Sequence, residues 1–113
     1  MKYKVYGNEF TDVQELRNYI LQDIIEHGLC GGLIEDFEDD LNIKYGQFLI
    51  SDTYYSPSEI LKACNPDDYD FLLDNFMEDE LAEFIYNEVG IQDDNAILIF
   101  YDYTVQCIAD KGV

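Results

Sequence analysis

The chain has little positive charge, no tryptophan and few histidines and cysteines. Its 113 residues include only six Lys and Arg, one His and three Cys. So few basic residues argue against direct binding to nucleic acid or to an anionic membrane. No run approaches the roughly 18 apolar residues of a membrane-spanning helix, and the N-terminus lacks the apolar core of a signal peptide. These absences predict a cytoplasmic protein.

The rare reactive residues do not form a recognisable catalytic pattern. Cys30, Cys64 and Cys107 are odd in number and far apart, which is typical of reduced thiols rather than of a disulfide framework. His27 lies at the end of a predicted helix, where capping explains it. The sequence contains no phosphate-binding glycine loop and no zinc-protease motif. We therefore expect no enzymatic activity and no cofactor.

The chain does contain enough apolar residues to form a hydrophobic core. Apolar residues make up 48% of it and aromatic residues 15%, with ten Tyr and seven Phe. That content is too high for a disordered acidic chain. The length fits one domain over residues 1–113.

The first half of the chain predicts a strand, two helices and a second strand. Residues 2–6 alternate as in a strand, and Thr11 with Gln14 forms a capping box for a helix that ends at Gly28. Residues 33–42 have helical apolar spacing, and residues 43–51 are expected to form a strand that bends at Gly46.

The second half predicts helices followed by a strand. Ser56-Pro57 and Asn65-Pro66 are helix starts, and the second of these helices extends to about Glu88 with a break near Glu78. Residues 96–103 predict the central strand, and 105–109 either prolong it or pair back on it. The expected fold class is α+β, a small antiparallel or mixed three-stranded sheet with about four helices packed on it.

Negative charge is the outlying property. Twenty-five Asp and Glu give a formal net charge of −19, well above the magnitude of roughly 2–8 that solubility requires. Residues 63–110 contain thirteen acids and no base. Many recur at intervals of three or four, so they share a helix face, where like charges destabilise the helix. A high-salt habitat or an acidic genome bias is the simple alternative explanation.

The functional interpretation is imitation of a nucleic-acid backbone. Duplex DNA carries one charge per roughly 1.7 Å of axis, so 19 charges match about 32 Å of duplex. Such a surface would bind the basic nucleic-acid groove of another protein. The predicted partner-binding residues are the acids of two segments and two tyrosine anchors: Glu35, Asp36, Glu38, Asp39, Asp40, Asp67, Asp68, Asp70, Asp74, Glu78, Asp79, Glu80, Glu83, Tyr69 and Tyr86.

Two alternatives for these residues stay open. The acids could bind a divalent cation, but residues 67–74 lack the glycine and glutamate spacing of a calcium-binding EF-hand loop, so no metal site is predicted. The tyrosines could belong to the core instead of an interface.

One segment resembles a known group of proteins. Residues 55–70, YSPSEILKACNPDDYD, are similar to a segment of small phage and mobile-element proteins of Gram-positive bacteria. The matching residues are Tyr55, Pro57, Ser58, Leu61, Pro66 and Tyr69. In size and charge the chain also resembles phage-encoded DNA mimics that inhibit restriction enzymes and CRISPR effectors.

These likenesses imply an inhibitor of a host defence protein that acts in the bacterial cytosol by acidic mimicry. The alternative is an acidic adaptor, or an accessory phage protein, that binds a basic protein without competing with nucleic acid. The oligomeric state is left open, a homodimer included.

Overall fold

The structure is a computed structural model, and it describes residues 1–28 and 31–110. The prediction for the Cys30 thiol falls outside these residues. Within them the fold is α+β, as predicted, with four α-helices, a four-stranded antiparallel sheet and a separate two-stranded sheet. The elements are, in chain order, β1 (Lys2–Val5), β2 (Asn8–Phe10), α1 (Val13–His27), α2 (Gly31–Tyr45), β3 (Phe48–Ile50), β4 (Thr53–Tyr55), α3 (Pro57–Cys64), α4 (Pro66–Glu83), a π-helix (Phe84–Val89), β5 (Ala96–Phe100) and β6 (Tyr103–Ile108).

The chain groups into two compact units. Unit 1 contains Met1–Cys30 and Glu78–Val113, and unit 2 contains Gly31–Met77. Helix α4 begins in unit 2 and ends in unit 1. The prediction of a single domain stays a prediction.

Unit 1 is built around the four-stranded sheet, whose order is β2-β1-β6-β5. Alternate residues of the two central strands, Tyr3 and Val5 in β1 and Val105 and Cys107 in β6, are buried. Helix α1 adds a buried stripe at helical spacing, Leu16, Ile20 and Ile24. The alternation of the strands and the period of the helix together enclose one core, as expected for a sheet with one covered face.

The prediction of a central strand over residues 96–103 is wrong. The chain turns at Tyr101 and Asp102, β6 pairs back on β5, and β5 lies at the sheet edge while β6 is central. Tyr101 has a φ of +52°, a left-handed conformation that a non-glycine residue seldom adopts. The alternative in which residues 105–109 pair back is the one that the structure supports.

Helix α1 begins one residue later than its predicted cap. Asp12, not Thr11, is the N-cap, and its carboxylate accepts the Gln14 backbone N–H at 3.0 Å. The predicted end is confirmed, since Gly28 has a φ of +86° and its N–H donates to the Ile24 carbonyl oxygen.

In unit 2 the predicted strand over residues 43–51 is wrong in its first half. Helix α2 continues to Tyr45 and ends at Gly46, which has a φ of +70° and donates its N–H to the Asn42 carbonyl oxygen. Strand β3 follows, and it pairs with β4 across a two-residue turn. Both turn residues, Ser51 and Asp52, have positive φ, as in the type I′ hairpin turn.

Both proline-marked helix starts are confirmed. Ser56 forms a capping box with Glu59, and the Ser58 N–H donates to Asn42 Oδ1 at 3.2 Å, which ties α3 to α2. Helix α4 follows Asn65 and has no break near Glu78. It passes into the π-helix, whose end at Gly90 agrees with the prediction.

Candidate acidic interface

The acids of α2 line the exposed side of that helix. Leu33, Phe37 and Leu41, spaced four residues apart, are buried. The acids fall between them, so the helical period turns most of them outward. Glu38 is half-buried, and the other four predicted partner-binding acids of this helix are exposed: Glu35, Asp36, Asp39 and Asp40.

The part of α4 in unit 2 repeats this arrangement. Tyr69, Leu73 and Met77 are buried at intervals of four residues. The acids of the same turns are all exposed: Asp67, Asp68, Asp70 and Asp74. Residues three and four apart on a helix lie roughly 5–6 Å from each other. Successive helix positions are rotated by about 100°, so Asp67, Asp70 and Asp74 lie in one row, as predicted from their spacing, and Asp68 lies to one side of it.

The acids of unit 1 lie further along the chain. Glu78, Asp79 and Glu83 lie at the surface and Glu80 is half-buried. Glu80 and Glu83 line an open cleft of about 410 Å³ with Glu88 and the aromatic residues Phe84 and Tyr101.

Glu88 is absent from the predicted interface residues. It follows Glu83 by five positions, a spacing that an α-helical pattern does not place on one face, whereas a π-helix bonds residue i to i+5. Nothing in the sequence indicates the π-helix, so Glu88 could not be assigned to the cleft.

Few basic groups neutralise these acids. Asp40 forms an ion pair with Lys44 at 3.7 Å. Over residues 1–28 and 31–110, no ion pair involves Asp67, Asp70 or Asp74. Asp67 and Asp68 occupy the first turn of α4, where negative charge complements the helix dipole. Asp70 and Asp74 lie beyond that turn, so the dipole does not account for them.

The two predicted tyrosine anchors have different environments. Tyr86 is 47% exposed and donates its hydroxyl to Gln14 Oε1, so its ring is available at the surface. Tyr69 is only 4% exposed and belongs to the core of unit 2. The expectation that Tyr69 is a surface anchor is therefore wrong, because its place on the Tyr69, Leu73, Met77 face turns it inward.

Tyr69 instead organises the interior of unit 2. Its hydroxyl donates to Glu38 Oε1 at 2.9 Å, and its ring packs edge-on against Phe37. The Lys62 ammonium lies 5.5 Å from the ring centroid, within cation–π range. Burial, followed by the hydrogen bond and charge of Glu38, raises the pKa of Tyr69 to about 12. Glu38 is thus held by the core.

The remaining candidate groups are dispersed. Within the described part of the chain, no three His, Cys, Asp or Glu side chains converge as metal ligands would. Nδ1 of His27 lies 3.0 Å from the Asp23 carbonyl oxygen, one turn back in α1. Cys64 is exposed, and Cys107 is buried, which raises its thiol pKa. No helix among the described residues has both the length and the apolar character needed to cross a bilayer.

Comparison of the chain with models of protein families, with curated proteins and with solved structures gave no match.

Proposed function

We propose that the protein inhibits a host nucleic-acid-binding defence protein, a CRISPR effector or a restriction enzyme, by occupying its basic groove with an acidic surface. It acts by binding and not by catalysis. The observation that carries this proposal is the row of exposed acids on α4 in unit 2, Asp67, Asp70 and Asp74, with Asp68 exposed beside it.

The density of this row suits a groove that binds a phosphate backbone. Residues 67 and 74 are seven positions apart, which is about 10.5 Å along a helix. The three carboxylates of the row give one charge per about 5 Å of helix, and Asp68 adds a fourth beside it, so the charge density is of the same order as the one charge per roughly 3.4 Å of a DNA strand. Because the helix is already folded, its carboxylates are positioned before binding. Less conformational entropy is therefore lost when the partner binds.

The chemistry of the row favours a charged partner. Asp70 and Asp74 are exposed, and the described chain supplies neither with an ion pair. Arg and Lys side chains that normally hold phosphates would form charge-assisted hydrogen bonds with them. Unit 1 offers a contact of its own, because the exposed ring of Tyr86 is an aromatic surface of the kind enriched at interfaces.

A competition assay tests the proposal. Purified protein is titrated into complexes of labelled DNA with a panel of CRISPR effectors and restriction enzymes, and DNA release is measured. We expect release by at least one member of the panel. The variant Asp70→Asn/Asp74→Asn should weaken inhibition roughly 10- to 100-fold for each charge-assisted hydrogen bond that it removes, and inhibition should fall steeply as salt is raised.

A control separates position from total charge. Asp93 and Asp94 are also exposed and lie outside the row, so Asp93→Asn/Asp94→Asn removes the same charge elsewhere. Equal weakening by the two variants would show that net charge alone acts. No inhibition across the panel would contradict the proposal, and capture of a basic partner that DNA does not displace would support the adaptor alternative.

A further inference from the structure

The β3–β4 hairpin of unit 2 presents apolar side chains to solvent. All six of its strand residues are exposed. Counting the end of α2, seven large apolar residues between positions 43 and 55 are between 39% and 85% exposed: Ile43, Tyr45, Phe48, Leu49, Ile50, Tyr54 and Tyr55. We call this set the hairpin patch. Isolated exposed apolar residues are common, but so many along one short segment indicate an interaction surface.

The hairpin patch lies over two open apolar cavities. One, of about 500 Å³, is lined by Ile50 and Tyr55 together with Ile60 and Ala63 of α3. The other, of about 250 Å³, is lined by Phe48 and Leu61 among other apolar residues. The hairpin therefore leaves apolar volume unfilled beneath it, and apolar side chains from another molecule would fit there.

The strands themselves lack the usual protection of an exposed edge. A two-stranded hairpin is at best marginally stable in water when nothing covers it. Edge strands that avoid pairing typically carry Lys, Pro or a bulge. β3 is Phe-Leu-Ile and β4 is Thr-Tyr-Tyr, with no charge and no proline in either strand.

Local charge indicates what kind of partner the patch fits. In a chain of net charge −19, residues 41–66 carry two lysines, Lys44 and Lys62, and two acids, Asp52 and Glu59. This segment is therefore electrically neutral. A basic partner would be drawn to the acidic helices, not to this surface. A second copy of the chain would bring an identical neutral and apolar surface, so the repulsion between two acidic proteins would be smaller here than between their acidic helices.

The exposed area suits a weak dimer. Side chains alternate along a strand, so Phe48, Ile50 and Tyr55 lie on the face of the hairpin above the cavities. Leu49 and Tyr54 lie on the other face. Taking about 200 Å² for a fully exposed large apolar side chain, the three cavity-side residues together with Tyr45 expose roughly 400 Å². Two copies would bury about twice that area, which is in the range of weak, transient interfaces. In a two-fold dimer the same patch supplies both sides, which suits a surface with apolar strands and apolar cavities next to each other.

From these observations we propose that the hairpin patch is a homodimer interface, in which the hairpins of two copies cover each other. This proposal does not depend on the inhibitory function. Dimerisation would place two acidic surfaces in one particle and so supply two binding sites for a charged partner.

Sedimentation equilibrium of the full chain tests it over roughly 1 to 100 µM, since a dimer depends on protomer concentration. We expect a particle of twice the 13.2 kDa chain mass at the upper concentrations. Because the interface is neutral while the rest of each copy is acidic, raising NaCl from about 0.1 to 1 M should leave the dimer intact or strengthen it. Binding to a basic groove would weaken under the same change, so the two proposals can fail separately.

Paired variants locate the interface. Phe48 and Ile50 lie on the cavity side of β3 and are 47% and 55% exposed, so Phe48→Lys/Ile50→Lys should yield a monomer without loss of helical circular dichroism. The control is Ile97→Lys/Ile99→Lys on the edge strand β5, where both residues are 68% exposed, and it should remain dimeric.

A second measurement does not depend on any variant. Hydrogen exchange of the wild-type chain should slow at residues 48–55 as protein concentration rises, while exchange at β5 should not change. A monomer throughout the concentration range would overturn the proposal. So would a dimer that survives Phe48→Lys/Ile50→Lys in folded protein, or one that disappears equally in the β5 control.

Discussion

The two units carry almost the same charge but differ in how they bury apolar residues. From the sequence, unit 1 has fourteen acids and four bases and unit 2 has eleven acids and two bases, so their formal charges are −10 and −9. Unit 1 covers one face of a four-stranded sheet that joins the two ends of the chain, with Lys2 paired to Ile108. Unit 2 is a continuous segment whose small sheet is exposed on both faces. Acidity is thus a property of the whole molecule, whereas a small sheet with both faces exposed distinguishes unit 2 from unit 1, which buries one face of its sheet and exposes Ile97 and Ile99 of β5.

The largest expected change in stability comes from a substitution in the buried face of helix α1 in unit 1. Ile20 is 0% exposed, and Ile20→Ala should destabilise the fold by about 2–5 kcal/mol, because it removes buried methyl groups and leaves a cavity. Leu49→Ala in the hairpin patch should cost about 0.5 kcal/mol or less in monomeric protein. Urea unfolding followed by circular dichroism at low protein concentration measures both. Equal losses would show that the hairpin is part of a core.

The next effect is expected within unit 2. Tyr69→Phe keeps the ring but removes the hydrogen bond to Glu38 and leaves that half-buried carboxylate without its donor. We expect a loss of about 1–3 kcal/mol in the free energy of unfolding. Tyr54→Phe is the matched control, because Tyr54 is 65% exposed, and it should change stability little. If Tyr69→Phe leaves the free energy of unfolding unchanged, Glu38 is adequately hydrated in the native state.

These two predictions also show what could be read from the sequence. Ser56-Pro57, Asn65-Pro66 and Gly28 are specific helix boundaries, and the structure has a boundary at each. The acids of α2 and α4 fall between buried apolar residues, so their exposure follows from spacing. The inward position of Tyr69 also follows from spacing, since Leu73 and Met77 continue the same buried helix face. The prediction that Tyr69 is an interface anchor does not take this spacing into account.

Two of the three hairpins in the described chain, β3–β4 and β5–β6, could not be predicted in the same way. Hairpin turns are normally recognised by Gly or Asn at positive φ. Here Ser51, Asp52 and Tyr101 adopt positive φ instead. Because no glycine marks the turn at Tyr101 and Asp102, residues 96–103 resemble one long strand. Gly46 is predicted as a bend within a strand, whereas its positive φ ends helix α2. Both hairpin turns are held by the pairing of the strands on either side of them, and that pairing cannot be recognised from a single sequence.

A smaller, pH-dependent effect would sharpen the difference between the units. The pKa of Tyr69 is raised to about 12 in the folded state, first by burial and then by Glu38, while an unfolded tyrosine ionises near 10. Between these values the unfolded chain loses the proton and the folded chain keeps it, so this contribution to stability is complete below about pH 10 and is lost as pH rises towards 12. Denaturant midpoints measured across this range should fall less steeply in Tyr69→Phe.

A residual slope is still expected in that variant. Burial also raises the pKa of Tyr3 and, with help from Asp102, that of Tyr6, and both residues belong to unit 1. The decline that persists in Tyr69→Phe would therefore report unit 1, and the part that disappears would report unit 2. An unchanged slope would show that Tyr69 ionises like an exposed tyrosine.

The smallest effect should have the opposite sign to the others. Asp70 and Asp74 are like charges four residues apart on α4, and Asp70→Lys would replace that repulsion with an attractive pair. We expect α4 to gain a few tenths of a kcal/mol, measurable as a higher denaturant midpoint. The proposed inhibition should weaken in the same variant, because a lysine would face a basic groove. If stability rises while inhibition falls, the acids of α4 are retained at a cost to the fold because a partner requires them. If stability rises and inhibition is unchanged, that row is a solvated surface like the rest of the acidic exterior.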